Sequence, residues 1–112
     1  MSNKNFLGEF EQMVLLAILQ RAPDAYGPTI SAELERTASR SVSRGALYSS
    51  LGRLENKGLL RWHLESPTPE RGGHPRRRFE VTHAGVEALK ASKTALVSLW
   101  SGLDDVLGPE AG

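Results

Sequence analysis

Apolar residues recur at helical spacing near the start of the chain, at Phe6, Phe10, Met13, Val14, Ala17 and Ile18. This pattern predicts a core-facing helix from Phe6 to Leu19, closed by Arg21-Ala22-Pro23-Asp24. A second helix opens at Gly27-Pro28, with glycine as N-cap and proline at the first helical position, and runs through Ile30 and Leu34 to about Ala38. The third has the best-marked ends. Ser43 caps it, Val42 is placed to staple onto Leu47, and Lys57-Gly58 supplies a basic last turn followed by a C-capping glycine. Leu47, Leu51 and Leu54 share one face and are assigned to the core.

Beyond Gly58 the period changes from helical to alternating. Leu60, Trp62 and Leu64 alternate with Arg61, His63 and Glu65; Phe79 and Val81 alternate with Arg78, Glu80 and Thr82. The segment from Ser66 to Pro75 is a loop by composition, so the two runs predict a β-hairpin with a long basic tip. Thr82 then caps a final helix. With Val86 as position a of a heptad, the a row is Val86, Lys93, Trp100 and Leu107, and the d row is Leu89, Leu96 and Leu103. Such rows predict a helix–helix seam interrupted only by Lys93, and hence self-association; the other reading is a helix packed on its own domain.

At 112 residues the chain allows one domain with a modest core. It has no cysteine, which excludes disulfides and thiolate chemistry. The longest apolar run, Met13 to Leu19, is too short to span a bilayer. That run follows acidic Glu9 and Glu11, unlike the basic start of a signal peptide, and the expected location is the cytoplasm. The net charge of +1 conceals an asymmetry. Residues 36–78 carry ten basic side chains against three acidic ones, while the segments on either side each carry a surplus of three acids. A basic middle between acidic ends suits a polyanion-binding surface.

Three helices followed by a two-stranded hairpin are the order of a winged helix-turn-helix, in which the third helix enters the DNA major groove and the hairpin touches the flanking backbone. The face of the third helix opposite its leucines presents Gly45, Ala46, Ser49, Gly52, Arg53 and Asn56, with no acid among them. Small side chains let a backbone approach base edges, and Arg53 and Asn56 carry suitable donors and acceptors. The wing adds Arg71, Arg76, Arg77 and Arg78 around Gly72-Gly73, a set suited to neutralising phosphates. His63, His74 and His83 lack metal-ligand spacing, and the serine-rich stretch from Ser39 to Ser43 lacks a paired base. No metal, cofactor or enzymatic activity is expected.

The motifs Ala25-Tyr26-Gly27, Ser43-Arg44-Gly45-Ala46-Leu47-Tyr48, Arg53-Leu54-Glu55 and Lys57-Gly58-Leu59-Leu60 resemble the signature of PadR-like regulators, as does Arg77-Arg78-Phe79-Glu80-Val81-Thr82 with Gly85. The resemblance covers roughly residues 6–107. Ser49 and Gly52 stand where the family usually has proline and a basic residue, which bears on the DNA sequence read rather than on the fold. With the residue reading, the resemblance implies an α+β, mostly α, winged helix-turn-helix. Residues 1–82 would form the DNA-binding region and 83–112 a single dimerisation helix, in one compact domain. It implies a homodimeric regulator, usually a repressor, that contacts double-stranded DNA. The contact set is Ser43, Arg44, Gly45, Tyr48, Ser49, Arg53, Asn56, Lys57, Arg71, Gly73, Arg76, Arg77 and Arg78. Dimerisation falls to Val86, Leu89, Leu96, Trp100, Leu103 and Leu107. Some such regulators bind small aromatic molecules between their two copies, a role that would fall here to Trp100 and Lys93. The competing reading is a winged-helix protein–protein interaction module that binds no DNA.

Overall fold

The structure is a computed structural model that describes residues 7–108, the side chain of Arg71 apart. Phe6, placed in the first helix by its spacing, lies outside the described residues. Helix α1 spans Glu9–Arg21, α2 Gly27–Ala38 and α3 Arg44–Asn56. Strands β1 (Leu60–Glu65) and β2 (Arg76–Val81) pair antiparallel, and α4 (His83–Trp100) and the short α5 (Asp104–Leu107) follow.

Two caps foreseen from sequence are made. The Ser43 hydroxyl accepts from the Ala46 N–H at 3.1 Å, and the Thr82 hydroxyl accepts from the Gly85 N–H at 3.1 Å. Each satisfies one of the orphan donors of a helix start. Helix α2 differs by one position, since Tyr26 is its N-cap and Gly27 its first helical residue.

The core collects Val14, Leu15 and Ile18 of α1, Ile30 and Leu34 of α2, Leu47, Leu51 and Leu54 of α3, and Leu59, Leu60 and Phe79. Leu15 is fully buried although the helical stripe omitted it. Helix α1 is apolar on more than one side: Val14, Leu15 and Ile18 point inward, while Leu16 and Leu19 remain 49% and 44% exposed. Buried Glu33 of α2 is met by Arg36 at 2.8 Å, Thr37 at 2.6 Å and Arg21 of α1 at 4.0 Å, which compensates its charge.

Cross-strand register sets Leu60 opposite Val81, Trp62 opposite Phe79 and Leu64 opposite Arg77. The first two pairs lie over the core. Leu64 was also expected to face inward, but it is 63% exposed. Leu64 borders a gap between the hairpin and the starts of α2 and α3 rather than packing on them.

The final helix is shorter than its heptad rows imply. Helix α4 stops at Trp100; Ser101 turns to extended backbone and Gly102 takes the left-handed region with φ of +80° before α5 begins. Leu103 and Leu107 therefore do not continue one straight seam. The cause is local: beyond Ser92 the helix has left its own core, so nothing offsets the helix-breaking tendency of Gly102.

Gly85, at the start of α4, has no room for a side chain, because a Cβ there would collide with the Leu59 carbonyl and the Val81 side chain. Gly85→Ala is expected to lower unfolding free energy by about 2–3 kcal/mol, as overpacking against fixed backbone does, which urea denaturation would measure.

Candidate nucleic-acid interface

The exposed face of α3 is as small as its sequence suggested. Gly45, Ala46, Ser49, Arg53 and Asn56 are solvent-exposed and Gly52 is half-exposed. A Cβ added at Gly45 or Gly52 would meet nothing within 4 Å, so packing does not require either glycine. Arg53 swings toward its own helix and donates to buried Ser50 at 2.9 Å. The acid on this helix, Glu55, accepts from the Trp62 indole N–H at 3.1 Å and so faces the wing. Ser43 is occupied as the cap.

Lys57 points elsewhere. Its ammonium donates to both Glu11 carboxylate oxygens, at 2.9 and 3.2 Å, and fastens the end of α3 to the first turn of α1. Burial alone would raise the Glu11 pKa, but the Lys57 bond and the Gly8 N–H outweigh it and hold the group below its ordinary 4.5.

Sequence grouped four arginines around Gly72-Gly73 as one phosphate-neutralising set, and the structure divides them. Arg76, Arg77 and Arg78 belong to strand β2; of the four, only Arg71 lies in the loop, in a 3-10 turn at Pro69–Arg71. Gly72 and Gly73 then carry the chain back with φ of +69° and +79°. The three strand arginines do not share one environment either. Arg76 and Arg78 lie on the outer face with Glu65 and Glu80, where register sets Arg76 opposite Glu65 and Arg61 opposite Glu80. Glu65 accepts from Arg76 at 3.2 Å and Arg78 at 3.0 Å; Glu80 accepts from Arg61 at 2.8 Å and Arg78 at 3.3 Å and lies 3.1 Å from the His63 ring. Arg76 also lies over the Tyr26 ring, 3.5 Å from its centroid, and donates to its hydroxyl.

Arg77 turns to the inner face and stacks on Trp62, 4.4 Å from the ring centroid. Arg44, first residue of α3, sits over Tyr48 at 5.5 Å. The Tyr48 ring is wedged edge-on to Phe79, with its oxygen against Gly27. Of the arginines whose side chains are described, Arg44, Arg53 and Arg77 have no carboxylate within ion-pair distance among the described residues.

A cleft of about 740 Å³ separates the starts of α2 and α3 from the wing; Tyr26, Thr29, Ser31, Arg44, Tyr48, Leu64, Arg76 and Arg77 line it, and no carboxylate does. A second hollow, of about 700 Å³, runs between α1 and α4. Val86, Leu89, Lys93, Leu96, Trp100 and Leu107 line it with Gln12, Leu16, Leu19, Lys90 and Val97; Leu103 does not. Leu89 is already buried in its own core, whereas Leu96 and Trp100 are about half exposed.

The roles of Trp62, Tyr26, Glu65 and Glu80 at the wing, and of Leu16 and Leu19 beside α4, were missed in sequence. Cross-strand pairing could have found the two glutamates once Leu60 was set opposite Val81. The second apolar side of α1 could have found the leucines.

The description of the transcriptional regulator PadR-like family matches residues 15–91, well over half of the chain. The chain belongs to the PadR-like family of transcriptional regulators. This PadR-like chain is also similar in structure to a PadR-like transcription factor from Bacteroides fragilis, with a TM-score of 0.71, 27% identity, and coverage of 87% of this chain and 88% of that one. A PadR-like regulator from Bacillus cereus gives a TM-score of 0.69 at 25% identity over 90% and 93% of the two chains. The hsRosR-S1 complex gives 0.69 at 26% identity, over 93% of this chain and 85% of that one. An uncharacterized 37.1 kDa protein of transposon TN4556 from Streptomyces fradiae is 34% identical over 88 residues, which are 79% of this chain. The chain spans 23% of that relative's length. Among the described residues, no helix is long and apolar enough to cross a membrane.

The outer face of the wing makes a pH prediction. Hydrogen bonds from Arg61, then from His63, hold the Glu80 pKa down from 4.5 to about 2, against the effect of burial. A depressed carboxylate adds stability that is complete above its unfolded value and is lost as pH falls through its folded one. Thermal midpoints should therefore fall between pH 4.5 and pH 2 in the native chain, and Glu80→Gln should flatten that part of the profile.

Proposed function

We propose that this PadR-like chain is a homodimeric repressor that binds a roughly palindromic DNA operator and is released by a small flat aromatic ligand. One observation carries the DNA reading. The face of α3 formed by Gly45, Ala46, Ser49, Gly52, Arg53 and Asn56 has no acid, and Arg44, Arg53 and Arg77, the described arginine side chains with no carboxylate within ion-pair distance among the described residues, lie on α3 or the wing beside it. Counterion release at phosphates supplies affinity, and the small face formed by Gly45, Ser49 and Gly52 permits close approach to base edges. Arg53 needs only to leave the Ser50 hydroxyl to reach a guanine. The same features speak against the protein–protein module.

The second copy is proposed to seat on α1 and α4. Leu16, Leu19, Leu96 and Trp100 form an exposed apolar strip there, bordered by Lys90 and Lys93. A two-fold dimer of this kind reads a palindrome whose half-sites lie about one turn of DNA apart. Trp100 and Lys93 line the same hollow, so a flat anionic or phenolic guest would meet a ring face and a cation.

Two measurements check these readings. Arg53→Ala should weaken operator binding by about 1–3 kcal/mol and relax preference at one base pair, while Gly52→Ala should stabilise the fold by about 0.5–1 kcal/mol yet weaken binding. Equal affinity for all three proteins would remove α3 from the interface. Leu96→Glu should shift the chain from dimer to monomer in sedimentation at micromolar concentration. A native chain that sediments as a monomer would sink the dimer.

A further inference from the structure

Arg44 and Arg77 are alike in three respects. Each has no carboxylate within ion-pair distance among the described residues, each has its guanidinium carbon over an aromatic ring, and both line the cleft between α3 and the wing. They reach it from different elements, Arg44 from the first turn of α3 and Arg77 from β2. A guanidinium on a ring face keeps its N–H edge directed outward, and that planar fork matches two phosphate oxygens. Arg61, Arg76 and Arg78 differ, since their donors already meet Glu65 and Glu80.

We propose that Arg44 and Arg77 close from two sides on a single backbone phosphate of duplex DNA, with Tyr48 and Trp62 as the positioning residues that hold them. The inference rests on the DNA-binding reading above and assigns the phosphate within it. The cleft has the right chemistry for a phosphodiester. No carboxylate lines it; Tyr26, Thr29 and Ser31 border it, with the Tyr26 and Thr29 hydroxyls already donating to Glu65 and the Asp24 carbonyl. Its position fits a duplex rather than a free anion, because Arg44 adjoins Gly45 and so borders the exposed face of α3. Trp62 ties the Arg77 side of the site to the far end of α3: its ring carries Arg77 while its N–H donates to Glu55. Loss of that ring would free the Arg77 side chain and loosen the wing from α3 together. Tyr48 is braced by Phe79 and Gly27, so its ring offers Arg44 a fixed platform.

The test is the salt dependence of binding to a random-sequence duplex. Each neutralised phosphate contributes about 0.9 to the slope of log Kobs against log salt. If the two arginines share one phosphate, the Arg44→Gln/Arg77→Gln double variant should lower the slope by about 0.9, and neither single variant should lower it further than that. Trp62→Leu should weaken binding as much as Arg77→Gln and add nothing to it, Trp62→Phe should restore most of the loss, and Arg61→Gln should leave the slope unchanged. Far-UV circular dichroism confirms folding of each variant, and the exposed arginine variants carry the test even if Trp62→Leu unfolds. A fall of about 1.8 in the double variant would mean two separate phosphates, and an unchanged slope would mean none. Either result overturns the clamp while duplex binding by the native chain stands. A folded native chain that does not bind duplex at low salt overturns the DNA reading as well.

Discussion

The geometry of the molecule hangs on the junction between β2 and the short segment ahead of α2. The Phe79 N–H donates to the Ala25 carbonyl at 2.8 Å, which fixes the free edge of the hairpin to the helical layer. Next to it the buried Tyr26 ring carries Arg76 on its face, and its hydroxyl donates to Glu65 of β1 at 3.0 Å. This backbone bond and this ring brace the wing beyond the core packing of Leu60 and Phe79. A two-stranded ribbon alone is at best marginally stable in water, so its angle to α3 has to come from such attachments. The width of the cleft that Arg44 and Arg77 both line follows from them.

Most of the architecture was legible because the determining signals are local. Ser43 and Thr82 announce helix starts through capping chemistry, and the change of period after Gly58 announces the hairpin. Two features were not legible. The break after Trp100 depends on what lies under the helix, and a heptad count cannot show that α4 has run past its own core. Lys57 reads in sequence as one more cation on the recognition helix; only the packing of α3 against α1 reveals Glu11 as its partner.

The arginine run from Arg76 to Arg78 shows why composition misleads at a site. Three identical neighbours have different lives because a strand alternates its faces and the opposing strand supplies acids to only one of them. On the outer face Glu65 and Glu80 neutralise the cations; on the inner face an aromatic ring holds Arg77 without cancelling its charge. A count of basic residues records three equal contributions where the fold leaves one.

The bond between Lys57 and Glu11 has a structural consequence. Glu11 stands at the start of α1, and Leu16 and Leu19, which border the hollow beside α4, stand farther along the same helix. Glu11 and Leu19 are about 12 Å apart along a rod that is much stiffer lengthwise than the loops around it. One helix thus touches both surfaces of this small chain, bordering the hollow with Leu16 and Leu19 and meeting the end of α3 through Glu11.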